Sequence, residues 1–423
     1  MSPSRTLGVI AAMSVLTFGL VSCTPGPAPV PSPTPSASPS LAPLPAGDRV
    51  LRLGTLLPTT GASAFLAPAQ AAGVELAVRE INEAGGVLGA PIEVFHRNSG
   101  DASGDVLEKS FGELLAKKVD VVIGPSSSVL SARLLPKSEA AGVPLISPAA
   151  IAPGLSSAAG AGWFYRTVPS AALQGSALAT ILGKTSSAKV ALVSFDDATG
   201  AALKKSLVAG LKASKGEVVE HTFDAGTKDL STLVAAVVKD APDAVVLVSP
   251  FSAMEQNKAI ITALTAERLG GARLWLTSGN LADYSQALPK KTMEGVNGIL
   301  EGAKPDAAFL KRIRSAGPTV KDYRYAAEAY DAVILAALAA TVADNDSGAA
   351  VARNLSAVSS GGIGCTSYGE CLDVLKTETD IDYNGASGPV GLDAAGDPAS
   401  ATFGVYRYDA ANRYNWADSV TAG

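Results

Sequence analysis

From Asp48 onward the chain alternates two patterns. Short, almost wholly apolar runs are followed by longer stretches in which apolar residues recur every three or four positions. The first pattern reads as buried strand and the second as helix. Strands are predicted over 50–57, 91–96, 119–123 and 143–147, with helices over 66–84, 104–118 and 129–141 between them. The series resumes with strands at 189–194, 217–223, 244–248 and 273–277, and helices at 200–214, 230–239 and 253–269. Continuous apolar strands separated by helices imply parallel sheets covered on both faces, an α/β fold. A last helix over 323–342 carries the apolar run 332–343, interrupted only by Thr341. Twelve residues are too few to span a bilayer, so this is expected to be a buried core helix.

The series appears twice. Asp120-Val121-Val122-Ile123-Gly124-Pro125-Ser126-Ser127 is a strand, a Gly/Pro break and serines that open a helix. Asp243-Ala244-Val245-Val246-Leu247-Val248-Ser249-Pro250-Phe251-Ser252 repeats the plan. Two similar doubly wound lobes are the economical reading. In such sheets ligands bind beyond the carboxyl ends of the strands, so two facing lobes would share a cleft. Ser126-Ser127-Ser128 then offers hydroxyls and helix N-terminal N–H groups to an anion such as a carboxylate. The same serines also read as an ordinary helix cap.

The first 47 residues have a different character. Residues 1–22 hold Arg5 and an apolar stretch from Leu7 to Leu20, the plan of an export signal. Leu20-Val21-Ser22-Cys23 resembles the lipobox of bacterial lipoproteins, which implies cleavage before Cys23 and acylation of its thiol. Residues 24–47 hold nine prolines and no charge, which predicts an extended tether between the lipid anchor and the body. The expected location is the cell envelope, on the outer face of the cytoplasmic membrane.

Composition narrows the function. The 423 residues carry 34 Lys+Arg against 39 Asp+Glu, a net charge of −5, which argues against a nucleic-acid partner. Two histidines and three cysteines leave little for a metal centre, and no metal or cofactor is expected. Cys365 and Cys371, six residues apart in an exported chain, are expected to form a disulfide. Enzyme motifs fall short. Gly183-Lys184-Thr185 lacks the earlier glycine of a phosphate-binding loop, because Leu178 stands there. Ser186-Ser187-Ala188-Lys189 leads into a strand rather than a helix. No base and oriented nucleophile can be assembled, so no catalytic residue is assigned.

Longer motifs carry a resemblance. Leu53-Gly54-Thr55-Leu56-Leu57-Pro58-Thr59-Thr60-Gly61, then Glu80-Ile81-Asn82-Glu83-Ala84-Gly85-Gly86, resemble the opening of the Leu/Ile/Val-binding proteins of ABC importers. Val122 to Ser128, Pro144 to Ala150 and Asp382 to Val390 are similar to later signatures of that family. The resemblance implies a type I periplasmic-binding-protein fold: two doubly wound parallel-sheet lobes joined by three crossings, near 166–169, 300–304 and 384–389. Lobe one would be 48–167 with 304–385, lobe two 168–303 with 386–416, and 417–423 a tail.

It also implies a monomeric receptor that closes on a small ligand (an amino acid, amide or small carboxylate) and delivers it to an ABC permease complex. The alternative is a non-transport envelope lipoprotein, a sensor or scaffold, on the same fold. By the family's pattern, Ser128 with Ser127 would bind the ligand carboxylate. Ala149, with Ala150 and Ile151, would lie along the next loop. Thr199 stands at the family's aromatic position, Phe251 is a candidate apolar wall, and Ser278 stands where an acid commonly meets the ligand ammonium. Asp196, Asp197 or Asp283 would have to substitute for that acid.

Overall fold

The computed structural model describes residues 44–158, 160–185 and 188–423. The export signal, Cys23, most of the tether and the Ser186-Ser187 pair lie outside the described residues.

Five strands form the first sheet: β1 (Arg52–Leu57), β2 (Glu93–Asn98), β3 (Val121–Ile123), β4 (Leu145–Ser147) and β5 (Phe164–Arg166). All their pairings are parallel, in the order β2-β1-β3-β4-β5. The helices α1 (Ala67–Glu83), α2 (Val106–Ala116) and α3 (Ser128–Ala141) connect the first four of these strands. The second sheet repeats the design with β6 (Lys189–Phe195), β7 (Glu217–Phe223), β8 (Ala244–Val248), β9 (Leu274–Leu276) and β10 (Asn297–Glu301). Its order, β7-β6-β8-β9-β10, matches the first position by position. Around it lie α4 (Ala171–Lys184), α5 (Ala198–Ala213), α6 (Leu230–Lys239) and α7 (Met254–Ala266). In each sheet the winding reverses at one strand, β1 and β6. The carboxyl end of that switch is where open α/β sheets place a ligand.

After β10 the chain returns to the first lobe as α8 (Ala307–Ala316) and α9 (Ala326–Ala343). Helix α9 is buried from Ala326 to Ala340, which confirms a core helix. It crosses α1 closely at Gly73, where a Cβ would stand 2.1 Å from the Ala326 carbonyl oxygen. Three short pieces then build a small satellite: α10 (Gly348–Asn354), β11 (Ile363–Cys365) and α11 (Tyr368–Val374). The Cys365–Cys371 disulfide joins the last two, with Cα atoms 5.2 Å apart. Strands β12 (Ile381–Gly385) and β13 (Gly388–Pro389) follow.

The chain ends in β14 (Ala401–Tyr408) and β15 (Tyr414–Ala422), an antiparallel hairpin added to β10. This departs from an all-parallel reading of the second lobe. Residues 417–423, expected to be a tail, are taken up by β15 as far as Ala422. The hairpin follows from its turn: Asp409 Oδ1 accepts the N–H groups of Ala411 and Arg413, and Asn412 takes a positive φ of 61°.

Candidate functional site

The carboxyl ends of both sheets open onto one cavity of about 520 Å³. One wall is Pro58, Thr60 and Ser63 after β1, Ser126 and Ser127 after β3, and Ala149 and Ile151 after β4. The opposite wall is Asp197 and Thr199 after β6, Ser249 to Ser252 after β8, and Thr277 to Gly279 after β9. Gln174 of α4 and Tyr325 complete it. Both switch points therefore face the same space.

The β3 loop is held rigidly. Gly124 has φ +111°, and a Cβ there would stand 2.4 Å from the Leu56 carbonyl oxygen. The Pro125 carbonyl accepts the hydroxyls of Ser131 at 3.1 Å and Ser147 at 2.6 Å, which ties α3 and β4 to the loop. Ser127 is the N-cap of α3, and its Oγ accepts the Leu130 N–H. Ser126 Oγ donates to Gln70 Oε1 at 2.6 Å.

Six of the eight expected ligand residues line the cavity: Ser127, Ala149, Ile151, Thr199, Phe251 and Ser278. Ser128 and Ala150 do not. Ser128 is the first residue of α3, and its hydroxyl turns away to accept the Ala152 N–H at 3.1 Å. Ala150 is fully buried behind the loop, where its N–H bonds Ser147 Oγ at 3.0 Å. Of the three candidate substitute acids, Asp197 lines the cavity as the N-cap of α5, with Oδ1 accepting the Gly200 N–H at 2.7 Å. Asp283 is drawn off by Arg413 at 3.8 Å, and Asp196 is exposed outside the lining. The charged residues of the lining are Asp101 and Asp197, both acidic.

A buried carboxyl backs the cavity at its other end. Glu301, at the carboxyl end of β10, is 4% exposed. Its Oε1 accepts Gln174 Nε2 at 2.9 Å and Ser278 Oγ at 2.8 Å, and its Oε2 accepts the Tyr325 hydroxyl at 3.2 Å. Burial pushes this carboxyl above its ordinary range, opposed by the Ser278 and Tyr325 hydrogen bonds and by the charge of Arg324. With their protons turned to Glu301, Ser278, whose Oγ also accepts Gln174 Nε2 at 3.2 Å, and Tyr325 each keep an oxygen lone pair for the cavity. Sequence reading passed over Glu301, Gln174 and Tyr325. The available signal was a lone acid closing the strand Asn297–Glu301 and a glutamine on the apolar face of α4.

The connections between the lobes converge on the start of α9. Thr167 Oγ1 donates to the Glu328 carbonyl at 2.8 Å. Asp331 accepts the N–H groups of Ala386 and Ser387 and the hydroxyls of Ser387 and Tyr383. A Cβ on Gly302 would stand 2.4 Å from Glu328 Oε1. On the first connection, Arg166 is fully buried and pairs twice with Asp397, Nε to Oδ1 and Nη2 to Oδ2, each at 2.7 Å. Its Nη1 also reaches the carbonyls of Ala150 and Ala152, both at 3.0 Å, which fixes the loop that carries Ile151 into the cavity.

The two histidines sit elsewhere. His96 bridges Thr55 at 2.9 Å and Glu75 at 2.6 Å, and His221 meets Asp240 at 2.7 Å.

A family model described as periplasmic binding protein matches residues 50–412. A relative from Halobacterium salinarum, the chemotactic signal transduction system substrate-binding protein BasB, is 27% identical over 365 residues. That match covers 82% of this chain and 84% of the relative. Among solved structures, the branched-chain amino acid transporter substrate binding protein LivJ of Streptococcus pneumoniae, in complex with isoleucine, superposes with TM-score 0.68. It shares 23% identity, over 88% of this chain and 99% of its own. A solute binding protein of an ABC transporter from Rhodopseudomonas palustris, in complex with p-hydroxybenzoic acid, also gives 0.68, at 15% identity over 88% and 97% of the two chains.

Proposed function

The chain belongs to the periplasmic binding protein family, and on that premise we propose that it is the solute-binding receptor of an ABC importer. The family implies a place outside the cytoplasm. Acylated Cys23 and the proline-rich tether would hold the body at the membrane surface. The observation that carries the reading is the cavity shared by the two switch points, with hydroxyls and helix N-termini at one end and the Glu301-backed oxygens at the other.

The ligand is a small carboxylate that carries an amine or amide. Its carboxylate meets Ser127 and the first N–H groups of α3, since no cationic side chain lines the cavity among the described residues. Its donor end meets Ser278, Tyr325 and Asp197. Relatives of known structure bind isoleucine and p-hydroxybenzoic acid, both carboxylates. Closure follows from the extra contacts that the ligand makes when both walls reach it.

Thermal unfolding across a panel of amino acids, amides and aromatic acids tests this. At 100 times Kd the bound form gains about 2.7 kcal/mol, a rise of about 3 °C for a body of this size. A panel that leaves Tm unmoved contradicts the reading. Within the panel, L-leucine should bind at least about tenfold more tightly than 4-methylpentanoate, and Ser278→Ala should shrink that preference, because it removes a hydroxyl oxygen that lines the donor end of the cavity. Equal binding of the two by the unmodified chain would place the donor end elsewhere.

A second reading, a lipoprotein sensor, is favoured by the chemotactic relative. Loss of labelled-solute uptake in a deletion strain supports import. Intact uptake with lost attraction toward the solute supports sensing.

A further inference from the structure

Beside the cavity the two lobes touch through three side chains that the expected site does not use together. Phe65 stands on the one-turn helix Ala64–Leu66 after β1, and Phe251 on the one-turn helix Phe251–Ala253 after β8. Their rings meet edge to face, with centroids 5.1 Å apart. The Arg324 guanidinium lies 5.5 Å from the Phe65 centroid and 5.6 Å from that of Phe251. Arg324 is fixed in place. It donates to the Leu281 carbonyl at 2.9 Å, to Asp322 Oδ2 at 2.9 Å and to the Tyr414 hydroxyl at 2.7 Å. Next to Phe65, Leu66 leaves the first lobe altogether and packs in the apolar cluster of Ala253, Leu281 and Tyr325.

Phe251, Leu66 and Tyr325 all line the cavity, so this junction sits at its edge. Phe65 remains 42% exposed although it is a large apolar ring. Its ring meets Phe251 of the other lobe and the Arg324 guanidinium. Both contact types are attractive in this geometry: edge-to-face rings 4.5–7 Å apart, and a guanidinium within about 6 Å of a ring. Separation of the lobes would lose the Phe65–Phe251 and Arg324–Phe251 contacts together, along with the Arg324 bonds to Leu281 and Tyr414.

We propose that Phe65, Phe251 and Arg324 form a clasp that adds to the closed share of the ligand-free protein, which the ligand then completes, and that slows ligand escape afterwards. Phe65 and Arg324 are positioning residues, since they act on the lobes and not on the ligand. The effect on ligand escape rests on the receptor reading, but the clasp is measured without ligand.

The test uses the full chain with Cys23→Ser and nitroxide labels at Ala132→Cys on α3 and Lys205→Cys on α5, both exposed positions on opposite lobes. Pulsed electron–electron distance measurement on the ligand-free protein should resolve a short separation beside a longer one. Phe65→Ala and Phe251→Ala should each shift the closed-to-open ratio about tenfold toward a longer separation, equivalent to about 1.4 kcal/mol. The double variant should go little further than either single, because both remove the same contact. Phe65→Tyr, which keeps the ring, should restore the short separation. Phe65 is half-exposed, so its variants should keep the core intact, which an unchanged circular dichroism spectrum checks. A shift below twofold in both alanine variants, or an unmodified chain with no short separation in the absence of ligand, overturns the proposal. A ligand panel in which nothing binds would sink the receptor reading alone and leave these distances untouched.

Discussion

Replacement of Asp397 by alanine is expected to cost about 4 kcal/mol of stability, a fall in Tm of about 5 °C for a body of this size. The reason lies in what is left behind. The Arg166 side chain is fully buried, while that of Asp397 is 16% exposed. Removal of the carboxylate leaves a guanidinium with no counter-charge, held by the Ala150 and Ala152 carbonyls and the Ser156 hydroxyl. Arg166→Ala should cost less, about 3 kcal/mol, because the orphaned carboxylate keeps some contact with water. Replacement of both by apolar residues should recover much of the loss, since a buried pair returns little beyond its own desolvation. The Arg166 variant should also lower ligand affinity, because the loop that places Ile151 loses two anchors. Chemical denaturation of the singles and the double checks the order: Asp397→Ala worst, then Arg166→Ala, then the double variant. A double variant as unstable as the sum of the singles would contradict it.

Stability is expected to fall as pH rises from about 5 to 8, and Glu328→Gln should flatten much of that fall. Glu328 is 4% exposed. Burial first, and the neighbouring carboxyls of Asp331 and Glu301 after it, push its pKa up to about 8. In the unfolded chain it ionises near its usual 4.5. Between those values the folded protein holds a proton that the unfolded chain has released. Its contribution is complete below pH 4.5 and is lost by about 1.4 kcal/mol per pH unit until the folded group ionises. Asp120, raised to about 7 by burial and by Asp346, adds a fall of the same sign in a lower window. Urea midpoints at pH 5, 6, 7 and 8 should therefore decline for the unmodified chain and decline less for Glu328→Gln. A midpoint that rises with pH would show that Glu328 is ionised in the fold. Because Glu328 sits beside two of the three connections between the lobes, the same titration should loosen the hinge.

Much of the fold is legible in the sequence because its signals are local. Apolar strands such as Ala244-Val245-Val246-Leu247-Val248 alternate with helices, the pattern of a parallel sheet covered on both faces. The repeated plan at Ser126 and Ser249 pointed to paired lobes, and both loops do meet at one cavity. The closing hairpin β14–β15 was less visible, since its outer strand alternates exposed and half-buried residues that read as surface. The site was legible only where one loop carries it. Whether Ser127 or Ser128 faces the cavity turns on one residue of register at the start of α3, and the Ala152 N–H decides it. The Glu301 relay joins residues up to 127 positions apart, and no local pattern announces such a meeting. The Phe65–Phe251 contact is hidden for the same reason.

A small solute that binds between the sheets must lose its site when the cavity is filled. Thr199 is half-buried on the cavity wall in the first turn of α5, so Thr199→Trp fills the space without entering either core. Calorimetric titration with whichever panel member raises Tm should give one site per chain for the unmodified protein. The Thr199→Trp variant, with an unchanged unfolding transition, should give no measurable heat of binding. Undiminished affinity in that variant would place the ligand elsewhere and contradict the assignment of the cleft.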